Sequence, residues 1–374
     1  MRSAARLGAV LLVMGCAGAA GAAETPLTAE AINQAQFGAG PAEGAAEPGK
    51  SAPDKPASDK AETGRETAKE KGREKAAAEK RPDPLTIRTQ VLLGRAGFSP
   101  GAIDGRDGDN LRGALAAFAK AKGQAFAGRL DAPLWQALSG TSPDPAVTQY
   151  TLTEKDVDGP FAEEIPPKME EQADLKALSY SSPAEMLAER FHMSRGLLTD
   201  LNPDAALTKA GTVITVAAVP ALETGRIPAK ELPEMPKVSR IEVDKDALQV
   251  RAYAEDGALV HTYPASIGSE EKPAPSGVLK VEGVAFDPTY TYNPKYEFKG
   301  VETKRKFTIK PGPNNPVGVV WIDLSGNDGY GIHGTPEPEK VGKTESHGCV
   351  RLTNWDARDL AKHVERGAKV DFGK

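Results

Sequence analysis

Only two cysteines occur in 374 residues. Cys16 lies in an apolar N-terminal run, so the rest of the chain carries a single thiol, Cys349, and an internal disulfide has no second partner there. An unpaired thiol in an oxidising compartment is a reactive liability. Cys349 is therefore either an inert buried residue, as free cysteines commonly are, or a nucleophile. No later segment reaches the ~18 consecutive apolar residues of a membrane span. Nor does either sign of charge dominate. The 47 basic and 52 acidic residues give a formal net charge of −5 and are mixed along the chain, which leaves no electrostatic footprint for nucleic acid. Aromatic residues are missing from 38 to 83, where Ala, Glu, Lys, Gly and Pro prevail. Such a stretch buries too little apolar surface to offset its ordering entropy. The remainder, in a chain that is 39% hydrophobic, has enough to build at least one core.

Arg2 and Arg6 precede an apolar run from Leu7 and then small residues, the layout of a secretory signal. The expectation is a signal peptide over 1–23 and a mature protein in the periplasm or cell envelope. Val13-Met14-Gly15-Cys16 also matches a lipobox, so a lipoprotein anchored through Cys16 stands as the less favoured alternative. Residues 24–83 read as a disordered linker. Order is expected from Pro84. Ile87 and Val91 share one helical face, Leu111, Leu115 and Phe118 another, and Asp131 caps a short helix with Leu134 and Leu138, which predicts a three-helix module over 84–140. A connector over 141–175 leads to a second small module, 176–219. There Ser182-Pro183-Ala184-Glu185 opens a helix with Leu187 and Phe191, Ser194 opens another with Leu197, Leu198 and Leu201, and Thr212 to Val219 alternates like a strand. In this module His192 reads as a surface or packing residue.

A Pro- and Glu-rich linker, 220–236, precedes a change of texture. From 237 the runs VSRIEVD, ALQVRAYA, ALVHTYPASIG, GVLKVEGVAF and VGVVWIDL have period 2 and predict a mainly β domain. One closing helix is expected from the capping box Thr353-Asn354-Trp355-Asp356, with Ala357, Leu360, Ala361 and Val364 buried and Gly367 as its stop. His363 reads as a residue of its solvated face.

Two of the five histidines, His333 and His347, precede Cys349 by no more than 16 residues. A thiol is nucleophilic as the thiolate, and an imidazole within hydrogen-bond reach stabilises that form as an ion pair. Gly348 lets the backbone approach a substrate carbonyl, and successive N–H groups of the turn can face a developing oxyanion. The Gly334 carbonyl is available to the other imidazole nitrogen. These are parts of an acyl-transfer site. A zinc site from His333, His347 and Cys349 lacks a fourth ligand and the usual spacing, a structural cysteine leaves the glycines and histidines beside it unexplained, and a peroxide-reactive cysteine has no resolving partner.

With those residues in view, three resemblances follow. Residues 84–140, with Gly97-Phe98, Asp104-Gly105 and the Ala114–Phe118 helix, resemble a small peptidoglycan-binding-like domain. Residues 176–219 resemble a degenerate LysM domain in the order Tyr180, LAERF, LLTDLNP, AGTVITV. Residues 237–374 resemble the YkuD-type L,D-transpeptidase catalytic domain through a Pro-x-Pro-Ser-Gly segment at 273–277, PGPNNPVG at 311–318, IHGT at 332–335 and SHGCVRL at 346–352. The last resemblance implies a β-sandwich with a C-terminal helix. It implies Cys349 as nucleophile, His333 as general base and Gly334 as the carbonyl that orients it. The amides of Gly348 and Cys349, with His347, would form the oxyanion hole. Ser346 would hold the turn, Arg351 would order the site, meet a substrate carboxylate or sit in a salt bridge beneath it, and Tyr330 would line the substrate groove, with Trp321 a second candidate that reads more readily as core. The implied partners are peptidoglycan stem peptides and glycan, with an envelope protein as an alternative acyl acceptor, and no metal or organic cofactor is needed. Water as acceptor would give carboxypeptidase action. The segment 268–317 is expected to include a flap over the groove. The competing reading is a catalytically inactive peptidoglycan-binding protein.

Overall fold

The computed structural model describes residues 27–38, 81–223, 225, 236–269, 272–294, 303–326, 329–346 and 348–373. The signal-peptide reading, Cys16 and His347 lie outside them.

Among the described residues four helices come first: α1 (Ala29–Gln34), α2 (Pro84–Arg95), α3 (Asp109–Ala121) and α4 (Ala132–Ser139). Asp83 and Asp131 cap α2 and α4 by accepting from Thr86 N at 2.7 Å and Leu134 N at 2.9 Å, which satisfies amides that a helix start leaves unpaired. Leu93, Phe118, Leu134 and Leu138 are buried between α2, α3 and α4. Phe98 meets Phe118 edge-on at 5.4 Å. The reading of 24–83 as one solvated linker is corrected at its start. Residues 27–38 dock on the folded body, Ile32 is fully buried, and Asn33 exchanges hydrogen bonds of 3.0 and 2.9 Å with the Val147 backbone. One buried isoleucine and a pair of amide bonds order a segment whose average composition gives no hint of it.

A second upstream unit follows. It contains β1 (Val147–Thr151), α5 (Glu154–Asp158), α6 (Met169–Gln172), α7 (Pro183–Arg190), α8 (Arg195–Leu201) and β2 (Val213–Ala217). β1 and β2 pair antiparallel, Val147 opposite Ala217. The strand therefore begins inside the stretch read as a connector. Its sequence, VTQYT, is mostly exposed and lacks a hydrophobic alternation, so backbone pairing with β2, together with the buried Val147, recruits it.

The C-terminal domain holds a nine-stranded sheet. Its strands are β3 (Val238–Asp244), β4 (Gln249–Tyr253), β5 (Leu259–Pro264), β6 (Ser266–Ile267), β7 (Val278–Phe286), β10 (Val320–Leu324), β11 (Gly331–His333), β12 (Val350–Arg351) and β13 (Val364–Asp371). The order is β5-β4-β3-β13-β7-β10-β11-β12-β6. β5 and β6 occupy opposite edges yet only Ala265 separates them in the chain, so the sheet must curl back on itself. Val243, Val250, Val281, Ile322, Ile332, Val350 and Val370 fill the enclosed core. This is the mainly β domain that the period-2 runs predict. A separate ribbon pairs β8 (Tyr290–Tyr292) with β9 (Phe307–Ile309).

The closing helix, α9 (Asn354–His363), starts as expected, with Thr353 Oγ1 accepting from Asp356 N at 3.1 Å. It stops sooner than expected. Val364 already belongs to β13, whose pairing with β3 shifts register between Val364 and Lys369, and Gly367 sits in that irregularity at φ 92°. Edge-to-edge pairing with β3 and β7 outweighs another helical turn. His363 is also not solvated. It is buried, its ring stacks on His261 at 5.0 Å, and Nε2 lies 3.5 Å from Asp359, which in turn accepts from Tyr263 Oη at 2.7 Å.

The upstream units pack directly on this domain. Ser99 N donates to Thr262 O and Thr262 N to Gly97 O, both at 2.9 Å, which lays the α2–α3 loop along β5. Ser99 Oγ reaches Asp356 Oδ2 at 3.0 Å. The second unit grips the 311–318 loop, since Leu178 exchanges 3.0 Å backbone bonds with Pro311 and Asn314. His192 stacks on Trp355 at 5.1 Å, a packing residue at this junction.

Candidate active site

β11 and β12 run parallel, with His333 opposite Arg351. Side chains two residues apart on a strand share a face. Cys349 stands in the bend just before β12, two residues before Arg351 and within electrostatic reach of its guanidinium, and continuing the alternation back from Arg351 turns it toward the face of His333. Both β11 and β12 are short and lie between β10 and β6, so sheet carries His333 and Arg351 while Cys349 enters from the turn before β12.

His333 is 4% exposed. Its Nδ1 lies 2.6 Å from the Gly334 carbonyl, a contact in which Nδ1–H donates, and this tautomer leaves Nε2 as the basic nitrogen. The Trp321 ring, its cross-strand partner, stacks on the imidazole at 5.5 Å and 21°. Burial, with the Arg351 charge adding to it, pushes His333 from 6.5 down to about 3. Cys349 is half-buried, and its thiol is within 3.8 Å of the Gly329 carbonyl. Burial raises the thiol pKa, opposed by the Gly331 backbone N–H and by Arg351. Both shifts favour the uncharged forms. In each group desolvation is the largest cause, and it favours a neutral thiol and a neutral imidazole over the thiolate–imidazolium pair that the residue types alone lead one to expect.

The turn before Cys349 is closed by Ser346, which is buried. Gly268 N donates to Ser346 Oγ at 2.6 Å, Ser346 N donates to Gly268 O at 2.9 Å, and the hydroxyl donates to the Cys349 carbonyl. Gly348 has φ 98°, a region that side chains rarely enter, and a Cβ there would come within 3.3 Å of Tyr330 Cε1. Tyr330 thus borders the turn. Burial lowers the Arg351 pKa, and the neighbouring Cys349, Glu337 and Tyr290 oppose that shift.

Three residues of this neighbourhood escape the sequence reading as site members. Tyr290, on the β8–β9 ribbon, lies within electrostatic reach of Cys349 and Arg351; burial first, then Cys349, pushes its hydroxyl up. Nothing in YTY marks it out. Trp321 reads as either core or groove, and only the β10–β11 register puts it on His333. Asn354 reads as a helix-capping neighbour. It accepts from Val319 N at 3.2 Å and donates to Pro313 O at 3.2 Å, tying the PGPNNPVG loop to α9, and its side-chain oxygen occupies the space that a Cβ on Gly318 or Gly334 would need.

The family model for the YkuD L,D-transpeptidase catalytic domain matches residues 239–371. Among curated relatives, the L,D-transpeptidase named YkuD of Bacillus licheniformis is 30% identical over 190 residues, covering 50% of this chain and 92% of that one. The L,D-transpeptidase named YbiS of Escherichia coli is 28% identical over 197 residues, 51% of this chain and 60% of that protein. Similar solved structures include an L,D-transpeptidase from Mycobacterium smegmatis, 18% identical over 43% of this chain and 66% of that one, at a TM-score of 0.30, too loose a superposition to carry weight.

Proposed function

This chain belongs to the L,D-transpeptidase family, and from that premise we propose that it is a cysteine-dependent acyltransferase of the bacterial cell wall, with Cys349 as nucleophile and His333 as general base. The supporting observation is the 2.6 Å bond from His333 Nδ1 to Gly334 O, which leaves Nε2 free to take a proton on the face where Cys349 projects.

In this reading the neutral pair reacts in concert. As Sγ attacks the carbonyl between the third, L-centred residue of a peptidoglycan stem and its terminal D-Ala, the thiol proton passes to His333 Nε2. Desolvation suits this order, since charge appears only when the substrate is in place. The oxyanion faces the amides of Gly348 and Cys349, aimed by the left-handed turn at Gly348, and the family resemblance adds His347 to them. Collapse breaks the C–N bond, and D-Ala leaves with the proton from His333. A thioester on Cys349 remains. An incoming amine, deprotonated by His333, then takes the acyl group and frees the thiol. The amine of a second stem gives a 3-3 cross-link, an envelope protein's amine gives anchoring, and water gives carboxypeptidase action. Export to the periplasm or envelope fits this substrate. A cleft among Tyr150, Tyr180, Met186, Arg190, Phe191 and Leu222 in the upstream unit offers aromatic faces to the glycan.

The test is mass spectrometry of the mature chain and of Cys349→Ala after incubation with disaccharide-tetrapeptide. Loss of D-Ala with a 3-3 dimer, absent in the variant, is the expected result. No turnover and no adduct on Cys349 from folded protein would sink the proposal and leave a non-catalytic binding protein.

A further inference from the structure

Helix α7 buries two carboxyl groups one turn apart, Glu185 and Glu189. The first has a task in its own helix, accepting from Ser181 N at 2.6 Å at the helix start. Glu189 takes no part in that cap. It is 2% exposed, and its Oε2 accepts instead from Asn354 Nδ2 at 2.9 Å, a residue 165 positions away in the catalytic domain. A carboxyl buried this deeply is costly unless its partner matters.

Asn354 is held on every side. Nδ2 donates to Glu189 and to Pro313 O, and Oδ1 accepts from Val319 N, so the amide orientation is determined by its bonds. The same oxygen lies against Gly334 and Gly318 so closely that neither position has room for a Cβ. A rotation of the amide would push on the Gly334 peptide. Gly334 is itself anchored by its N–H to Val320 O at 3.2 Å, and its carbonyl is the acceptor for His333 Nδ1. The contacts run without a gap from α7 to the imidazole.

We propose that Glu189 is a positioning residue for the transfer reaction: through Asn354 it sets the Gly334 carbonyl and thereby the His333 ring, so the upstream unit is part of the active site's support rather than a separate appendage. The proposal rests on the Cys349 and His333 assignment above. Burial pushes the Glu189 carboxyl up to about 8, with Glu185 adding to it and Asn354, Arg195 and Tyr180 opposing, so the group is uncharged at neutral pH. Glutamine, neutral and of the same shape, is therefore its close mimic. Leucine, of similar volume, deletes the acceptor, and aspartate withdraws it by one methylene.

The experiment uses the full mature chain and measures D-Ala release from disaccharide-tetrapeptide, the rate of Cys349 acylation by a carbapenem, whose strained lactam carbonyl is an acyl donor for the same nucleophile, and thermal unfolding. Glu189→Leu is expected to lower kcat and the acylation rate by about 10- to 100-fold, the usual effect of a misplaced catalytic group, with KM within about twofold. Glu189→Gln is expected to restore both to within about threefold of wild type, since it keeps an acceptor at the same place. In an Asn354→Ala background, Glu189→Leu should add no further loss. If the leucine variant does not fold, Glu189→Asp takes its place, and the Nδ1 proton of His333, followed by NMR, should move from its wild-type position. An acylation rate that stays at the wild-type value while the melting temperature falls would reduce Glu189 to interdomain glue and overturn the proposal, as would losses at Glu189 and Asn354 that simply multiply. A wild-type chain that neither releases D-Ala nor is acylated refutes the transferase reading and this proposal with it, whereas an active wild type with indifferent Glu189 variants refutes the proposal alone.

Discussion

The neutral state of the thiol and imidazole predicts an unusual pH profile for the first chemical step. With His333 held at about 3, the base is unprotonated throughout the range from about pH 5 to pH 8, and with the thiol raised above its ordinary value little thiolate exists there. The rate of acylation by a carbapenem should therefore be flat across that range. Were the imidazole at its ordinary value near 6.5, the rate would fall about tenfold between a neutral plateau and about pH 5.5. Stopped-flow absorbance of the carbapenem, with the mass of the adduct on Cys349 as control, measures it directly. Stability must be followed in parallel. A histidine whose folded pKa is depressed adds nothing above about 6.5, and its buried neutral form becomes a growing liability as pH falls from there toward about 3, up to about 5 kcal/mol for the full depression. Unfolding free energy should thus decline on acidification and do so less in His333→Gln, although that variant loses turnover. A limb of unit slope in the acylation rate between about pH 5 and pH 7, from protein shown to be folded at each point, would refute the depressed imidazole, because it reports a base that takes up its proton in that range.

Two further outcomes test the framework around the site. Gly334→Ala should leave the circular dichroism spectrum unchanged yet slow acylation about 100-fold, because the new Cβ displaces the Asn354 amide and with it the carbonyl that holds His333; wild-type kinetics in that variant would show that the carbonyl does not position the base. Ile32→Ala should cost about 2–4 kcal/mol of unfolding free energy and render the 27–38 segment protease-sensitive, since a six-residue helix has no stability of its own, while carbapenem acylation stays within about twofold. Unaltered proteolysis of that segment would mean that the buried isoleucine does not hold it.

Much of the catalytic domain was legible in the amino-acid order. Period-2 runs from 238 onward report strands because alternate residues must face a core, and Thr353 with Asp356 marks a helix start because both partners lie within one turn. IHGT and SHGCVRL each keep a histidine or cysteine beside a glycine, so the local chemistry is written in adjacent residues. What the order alone left open are meetings between residues distant in the chain. Periodicity tells which face of α7 is buried but not that Glu189 will find Asn354. It tells that Trp321 is on a strand but not that the β10–β11 register stacks it on His333. His363 looks solvated among Lys362, Glu365 and Arg366; Asp359 is one turn back on the same helix, but only the packing of α9 against β5 sets His261 on its ring and buries it. The polar sequence of β1 and the single Ile32 carry no periodic signal at all. Each is ordered because a partner surface supplies the hydrogen bonds or the apolar pocket, and such a surface exists only once the chain has folded.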